Sequence, residues 1–209
     1  MQRDEAIRRM KTLVGKDLFN EAESCGISVW KNGKLNKGWF GHVIEHFLGL
    51  PLNSAQAPNF GSWELKTTSL KRKANGEIVP KETIAITMID KYNVIRTPFL
   101  ESHLYSKLRK LVLVARIVSE KFEASGLVHS VVEFDLNDKQ LLKDIEADYE
   151  LVRSTLKAHD NGDPADNDVS CLSGRMGKYI QPRTKGAGHG STSRAFYMRK
   201  CLVGKILGL

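Results

Sequence analysis

The sequence predicts an α/β fold in which a mixed sheet is flanked by helices, and three observations support this prediction. Three segments carry apolar residues at helical spacing, and four short β-like stretches lie between the second and the third of them. The composition, 41% hydrophobic over 209 residues, is enough to form a large core. We therefore expect one compact domain spanning residues 1–209.

The predicted helices cover residues 3–22, 37–49 and 138–158. In the second helix Val43, Ile44 and Phe47 form an apolar face, and Gly49 ends it. The third helix carries one apolar stripe, formed by Leu141, Ile145, Tyr149, Val152 and Leu156.

The predicted strands cover residues 62–70, 82–90, 110–118 and 129–136. Asn75-Gly76 is a hairpin signal, which predicts that the first two strands are joined directly. Residues 159–170, "HDNGDPADNDVS", predict a loop.

Charge is distributed unevenly along the chain, whose net charge is +8. Residues 133–168 hold eleven acids and four bases, whereas residues 169–209 hold eight bases and no acid. A basic, glycine-rich segment suits a polyanion such as DNA, and a solvated basic surface is the alternative. No apolar run approaches the roughly 18–20 residues that cross a bilayer, and residues 1–13 do not resemble a signal peptide. We therefore expect a soluble cytoplasmic protein with no membrane partner.

An acid and a lysine stand two positions apart in the first predicted strand, as Glu64-Leu65-Lys66. Residues i and i+2 of a strand point to the same face, so the carboxylate and the ammonium should lie side by side. Metal-dependent hydrolysis of a phosphodiester uses carboxylates on the metal and a cation near the nucleophile. The pattern therefore indicates a nuclease site, with a surface ion pair as the alternative.

A competing pattern precedes this strand. "HVIEH", from His42 through Glu45 to His46, matches the H-x-x-E-H arrangement of inverted zinc peptidases. The sequence offers no identifiable third ligand, and helix-surface histidines are the simpler alternative.

Several motifs in a fixed order resemble those of the MutH family of DNA endonucleases, which includes related GATC-cutting restriction enzymes. They are "NKGWFGHVIEHFLG", "PNFGSWELKT", "ESHLYSKLRKLVLV", "YIQPRTKGA" and "RAFYMRK". The resemblance implies a restriction-endonuclease-like fold with a DNA-binding cleft. It also implies that residues 1–115 are mainly catalytic and residues 116–209 mainly recognise DNA.

The resemblance implies a role for each matching residue of the catalytic part. Glu45 becomes the helical active-site acid, and Glu64 becomes a metal ligand together with the Leu65 carbonyl and position 59. Lys66 becomes the cation beside the attacking water. Lys107 becomes a further active-site lysine, with a solvated lysine at a strand edge as the alternative.

The same resemblance implies the residues that contact DNA. Arg183 becomes the base reader, because an arginine can bridge guanine O6 and N7. Lys185 becomes its helper or a phosphate ligand, and Lys37 approaches DNA ahead of the second helix. Tyr197 becomes an aromatic near the adenine of GATC, with a packing tyrosine as the alternative.

The chain departs from the family pattern at Asn59, where the family has an aspartate. Asparagine keeps a carbonyl oxygen but loses the charge that binds a hard cation. The resemblance therefore implies a parent enzyme that uses Mg²⁺ or Mn²⁺ to cut GATC or a related site, as a repair nickase or as a restriction enzyme. A restriction enzyme would act as a homodimer on a palindromic site. Asn59 predicts that this chain is impaired, through an engineered exchange or natural degeneration, and a non-catalytic DNA-binding protein is the alternative.

Overall fold

The computed structural model describes residues 1–49, 61–119, 124–163, 165–186 and 192–209. In chain order the elements are α1 (Arg3–Lys11), α2 (Phe19–Ser24), β1 (Trp30–Lys31), β2 (Lys34–Leu35), α3 (Trp39–Phe47), β3 (Glu64–Arg72), β4 (Ile78–Pro80), β5 (Ile84–Met88), α4 (Lys91–Arg96), a 3-10 helix (Phe99–Glu101), α5 (His103–Leu108), β6 (Lys110–Val118), β7 (Leu127–Asp135), α6 (Lys139–Ala158), β8 (Ile180–Thr184), β9 (Arg194–Met198) and α7 (Lys200–Leu207). None of these helices has both the length and the apolar character needed to span a bilayer.

The chain divides into two compact units. Unit 1 consists of Met1–Glu82, Leu111–Phe134 and Gly204–Leu209, and unit 2 consists of Thr83–Lys110 and Asp135–Val203. Each unit thus draws on segments from both sides of residue 115. The division of catalysis and recognition near that residue stays a prediction.

Unit 1 contains a four-stranded sheet with the order β4-β3-β6-β7. β3 pairs in parallel with β6, where Glu64 lies opposite Leu111, and pairs antiparallel with β4. The sheet is therefore mixed, which confirms the predicted α/β class with helices beside a mixed sheet. The apolar run of β6 is buried from Leu111 to Ala115, as expected for a strand covered on both faces.

One hydrophobic cluster joins the helices of unit 1 to this sheet. Met10 from α1 and Trp39 and Ile44 from α3 pack with Leu65 of β3 and Val112 of β6. The helical spacing of the apolar residues in α3 therefore serves to cover one face of β3.

The predicted helix at residues 3–22 is wrong in its middle, because α1 ends at Lys11 and α2 begins at Phe19. Gly15 adopts a positive φ of 83°. Its N–H donates to the Val128 carbonyl over 2.9 Å, and the Val128 N–H donates to the Lys16 carbonyl over 2.9 Å. Pairing with β7 thus replaces helical hydrogen bonds here, and the local sequence pattern did not show it.

The hairpin at Asn75-Gly76 forms, but its second strand was predicted wrongly. Gly76 has φ 88°, and β3 returns into the three-residue strand β4. The predicted strand at residues 82–90 contains β5, which belongs to unit 2 and pairs with β9 more than 100 residues later.

Unit 2 contains an antiparallel sheet with the order β5-β9-β8, packed with α6. α6 begins at the N-cap Asp138, whose side chain accepts the Leu141 N–H over 2.8 Å, and this confirms the predicted third helix. Its apolar stripe is buried, and Tyr149 lies 5.7 Å from the Phe99 ring and 5.6 Å from the Phe196 ring. No helix or strand occurs in the described part of residues 159–170, so the predicted loop is confirmed there.

Candidate functional site

The acid and the lysine at the start of β3 lie side by side. Lys66 Nζ is 2.6 Å from Glu64 Oε1, as expected for neighbours on one face of a strand. The Glu64 side chain is 0% exposed and the Lys66 side chain is 20% exposed. Glu64 is therefore buried and Lys66 half-buried, so the alternative of a surface ion pair is wrong.

The burial of Glu64 affects whether the Glu64–Lys66 pair is interpreted as structural or functional. The cost of removing two charges from water is comparable to the attraction between them, so a buried pair is weak evidence of stabilisation. Glutamate is almost never fully buried unless it is paired, so the complete burial of Glu64 beside Lys66 is unusual. The pair combines one carboxylate ligand with one fixed positive charge, which is chemistry that a hydrophobic core does not need.

Glu45 is half-buried on α3, and this helix packs against the other face of β3. Leu65, in the same cluster as α3, alternates with Glu64 and points away from it. Thr67 shares the face of Leu65, and its Oγ1 lies 3.3 Å from the position that a Cβ on Gly41 would occupy. α3 and the Glu64–Lys66 pair thus lie on opposite faces of β3, and the active-site role of Glu45 stays a prediction.

The two histidines of α3 do not assemble a metal site with Glu45. His46 is exposed, whereas the half-buried His42 ring approaches Gly38 at the start of the helix. Among the described residues, no three His, Cys, Asp or Glu side chains are grouped to hold a metal ion. The zinc-peptidase interpretation of His42, Glu45 and His46 is therefore wrong for the part of the chain that the structure describes.

Lys107 lies on α5 in unit 2, and the helix is capped by Ser102, whose hydroxyl accepts the Tyr105 N–H over 3.1 Å. Lys107 is 6% exposed. The alternative of a solvated lysine at a strand edge is therefore wrong, because the residue is helical and buried. Its role as an active-site lysine stays a prediction.

Arg183 and Tyr197 are brought together on one face of the β8–β9 pair. Arg183 lies opposite Ala195, so Tyr197 is its diagonal neighbour on the adjacent strand. The guanidinium carbon is 5.7 Å from the centroid of the Tyr197 ring, and Nη1 donates to Thr83 Oγ1 over 2.8 Å. Arg183 remains exposed, so this contact orients the guanidinium without enclosing it.

Tyr197 differs clearly from the neighbouring Phe196. Phe196 is 1% exposed and packs on Tyr149, whereas Tyr197 points to the opposite face and is half-buried. Burial raises the pKa of the Tyr197 hydroxyl, and the positive charge of Arg183 opposes this shift. The hydroxyl is therefore protonated at neutral pH and can donate a hydrogen bond from the Arg183 face.

The remaining predicted residues differ in how far the structure describes them. Lys185 is exposed just beyond β8, and its N–H donates to the Ser193 carbonyl over 2.9 Å, which extends the ladder by one residue. Lys37 is exposed in the turn before α3. Asn59 lies outside the described residues.

Two residues beside the predicted set were missed by sequence reasoning. Thr83 holds the Arg183 guanidinium, and no local pattern indicates it. Asp148 is 6% exposed within the apolar stripe of α6, three residues after Ile145 and four before Val152. An acid at a core-facing position of a helix was a usable signal, because a buried carboxylate requires hydrogen-bond donors.

The mixed sheet flanked by helices agrees with a restriction-endonuclease-like fold of the MutH type. A family model described as "DNA mismatch repair enzyme MutH" matches residues 48–148. This stretch includes Glu64, Lys66 and Lys107 and ends before Arg183.

Proteins named "DNA mismatch repair protein MutH" are similar to this chain. Those of Vibrio campbellii and Vibrio parahaemolyticus are each 27% identical over 110 residues, which is 53% of this chain and 48% of each relative. The alignment thus spans about half the length of these two relatives. The protein of Shewanella woodyi is 25% identical over 193 residues, which is 92% of this chain and 79% of that protein. The chain is thus similar to members of the MutH family, both over residues 48–148 and, at lower identity, over most of its length.

Proposed function

We propose that the chain is a form of a Mg²⁺-dependent endonuclease that hydrolyses a phosphodiester of duplex DNA at GATC or a closely related site. The observation that carries the proposal is the buried Glu64–Lys66 pair, which lies within the stretch matched by the MutH family model. The relatives named for DNA mismatch repair support a repair nickase, and a restriction enzyme acting as a homodimer would use the same site. A cytoplasmic location belongs to this proposal.

The expected donor atoms at this site are oxygens, the type of ligand that a hard divalent cation binds. Carboxylate and carbonyl oxygens are the ligands that Mg²⁺ prefers. Glu64 and the Leu65 carbonyl would hold the ion together with position 59, and Mn²⁺ would fit the same donors. When bound, the ion would stabilise charge on the phosphate and lower the pKa of a bound water.

The side chains of the chain itself have separate tasks in this proposal. Lys66 Nζ, 2.6 Å from Glu64 Oε1, would orient the attacking water. The resemblance implies supporting roles in catalysis for Glu45 and Lys107, and these roles stay predictions.

Recognition of the DNA sequence is assigned to a different group of residues. Arg183 would read a guanine, and Tyr197 would lie beside it against a neighbouring base. Lys185 and Lys37 would contact phosphates, which contributes affinity without sequence preference.

Asn59 is the reason to propose that this chain cuts poorly. A neutral amide at this position leaves Glu64 as the single charged ligand of the expected set, and Lys66 already neutralises it. A non-catalytic, sequence-specific DNA-binding protein on the same fold is the second candidate, and Asn59 is the observation that favours it.

Restoring the acid tests both candidates. The parent chain and Asn59→Asp should be compared for nicking of a supercoiled plasmid that contains GATC, at matched Mg²⁺ and with a chelator control. We expect Asn59→Asp to nick much faster, because two carboxylates bind Mg²⁺ better than one. Glu64→Gln in the Asn59→Asp background serves as the blank.

The outcomes separate the candidates. Equal nicking by the parent and Asn59→Asp would show that position 59 is not a required ligand. Inactivity of both, with retained binding of a GATC duplex, would favour the non-catalytic DNA-binding protein. Absence of both nicking and DNA binding would overturn the proposal.

A further inference from the structure

The segment that leads into β8 is attached to α6 through one buried carboxylate. Asp148 is 6% exposed, and its two oxygens accept three consecutive backbone N–H groups. Lys178 N lies 2.6 Å from Oδ1, and Tyr179 N and Ile180 N lie 2.7 and 2.8 Å from Oδ2. Hydrogen bonds to a charged acceptor are about twice as strong as neutral ones, so this attachment is firm.

The turn just before these donors is shaped to let the carboxylate approach. Gly177 has φ 77°, and a Cβ there would stand 1.9 Å from the Ile180 carbonyl oxygen and 3.1 Å from the Asp148 carboxyl carbon. Only glycine fits this position without displacing the backbone or the carboxylate. Gly177 and Asp148 thus form one local structure from residues about 30 apart in the sequence.

β8 depends on such an attachment because it is a short edge strand. It has five residues and pairs on one side only, with β9, in the described sheet; Pro182 lies opposite Phe196 with its nitrogen on the outer edge, where it costs no hydrogen bond to β9. A slip of one residue would move every side chain of the strand to the other face. Such a slip would remove Arg183 from Tyr197 and Thr83.

We infer that Asp148 is a positioning residue for DNA recognition, which fixes the register of β8 at its first residue and so presents Arg183 to a base edge. The inference rests on the proposed function, because it takes Arg183 as the base reader. Asp148 itself touches no DNA in this scheme and acts through the backbone of residues 178–180.

The test compares discrimination in binding, without cleavage. Fluorescence anisotropy at fixed salt in the absence of divalent metal gives the affinity for a GATC duplex and for duplexes with one base pair of the site replaced. We expect Asp148→Asn to reduce the ratio of these affinities by about tenfold, the order of one lost bidentate base contact. Affinity for the substituted duplexes should change by less than about threefold, because phosphate contacts do not read sequence.

A matched control lies one helical turn earlier. Asp144 Oδ2 accepts from the exposed Lys178 Nζ over 2.9 Å, so Asp144→Asn removes the same charge from α6 without touching the backbone attachment. Discrimination by Asp144→Asn should equal that of the parent. An equal loss in both variants would assign the effect to helix charge and overturn the inference.

Thermal unfolding separates positioning from stability. A lower melting temperature for Asp148→Asn with unchanged discrimination would reduce Asp148 to a structural role and overturn the inference. If Asp148→Asn does not fold, Asp148→Glu decides, because it keeps the charge but displaces the carboxylate from its donors. Loss of discrimination in Asp148→Glu supports the inference, and full discrimination in it overturns the inference.

Arg183→Ala, measured in parallel, separates this inference from the proposed function. If Arg183→Ala keeps the discrimination of the parent, the proposed base reading by Arg183 fails. If Arg183→Ala loses discrimination and Asp148→Asn does not, only the positioning inference fails.

Discussion

At the scale of single residues, burial decides what the Glu64–Lys66 pattern means. An acid and a lysine form an ordinary ion pair when water surrounds them, as Lys73 and Glu77 do, four residues apart in the turn between β3 and β4. Glu64 is instead 0% exposed, and Lys66 Nζ lies 2.6 Å from its Oε1. A pair of glutamate and lysine is therefore largely withdrawn from water at the start of β3 and exposed to water in the turn after it.

Substitutions of Glu64 and Lys66, singly and together, should show how the pair affects the free energy of unfolding. Lys66→Met should lower the free energy of unfolding by about 3 kcal/mol, because it removes the positive charge beside the buried Glu64 carboxylate. Glu64→Gln with Lys66→Met should recover most of that loss, since the negative charge is removed together with the positive one. Urea unfolding of the two single variants and the double variant measures the coupling.

The exposed pair provides the control for this cycle. Lys73→Met breaks the Lys73–Glu77 contact, whose side chains are 48% and 53% exposed, and should leave stability unchanged within error. A loss for Lys66→Met no larger than that for Lys73→Met would contradict the buried character of the pair.

At the scale of elements, a buried lysine holds the acidic loop after α6. Lys91 at the start of α4 is 1% exposed, and its Nζ lies 2.6 Å from Asp166 Oδ2 and 3.5 Å from Asp160 Oδ1. Its N–H also donates to Asn167 Oδ1 over 2.8 Å. The loop therefore takes its shape from a cation of α4, about 70 residues earlier in the chain.

This loop should make stability depend on pH at the acidic end. The Lys91 ammonium holds the pKa of Asp166 below its usual value of 3.8, and Asp166 in turn raises the pKa of Lys91 above 10.5. A depressed carboxyl pKa contributes stability above the unfolded value, and this contribution is lost as the pH falls through the folded value. The melting temperature should therefore fall on acidification below about pH 4.

Lys91→Met is the variant that isolates this contribution. It should lower the melting temperature at neutral pH and reduce the part of the acid-induced fall that comes from Asp166. Lys143→Met, at an exposed position of α6, changes net charge equally and should retain the parent profile. Parallel acid profiles for the parent and Lys91→Met would show that the contact does not set this dependence.

At the scale of the whole molecule, part of the basic charge of the C-terminal segment holds the fold together. Arg194 Nε donates to the Val169 carbonyl over 2.9 Å, and Arg199 Nη2 donates to the Gly174 and Met176 carbonyls over 2.9 Å. Lys178 pairs with Asp144. Fewer than the eight bases of residues 169–209 can therefore be offered to a polyanion.

The salt dependence of DNA binding should separate the two kinds of cation. The logarithm of the binding constant for a random duplex should fall linearly with the logarithm of salt concentration, with a slope of about −0.9 for each phosphate contact. Lys185→Gln should therefore reduce the slope by about 0.9. Arg194→Gln should lower the melting temperature and leave the slope unchanged. An identical slope for Lys185→Gln and the parent would remove Lys185 from the phosphate contacts.

Local sequence patterns alone predicted several helices and strands and the side-by-side arrangement of Glu64 and Lys66. The apolar stripe of α6 and the apolar run of β6 gave those elements almost to the residue, because helical and strand periods are local properties. The two-residue spacing put Glu64 and Lys66 on one face for the same reason, and the order of the motifs indicated the MutH family.

Contacts between distant segments decided the rest, because pairing and burial depend on residues that a local pattern does not contain. The predicted first helix is interrupted at Gly15, where the backbone pairs with β7. β5 pairs with β9 and not with β3, its predicted hairpin partner. The complete burial of Glu64, the approach of Thr83 to Arg183 and the three donors on Asp148 follow from the same cause. The sequence supplied the reactive groups, and the tertiary structure decided which of them lie buried and beside which partners.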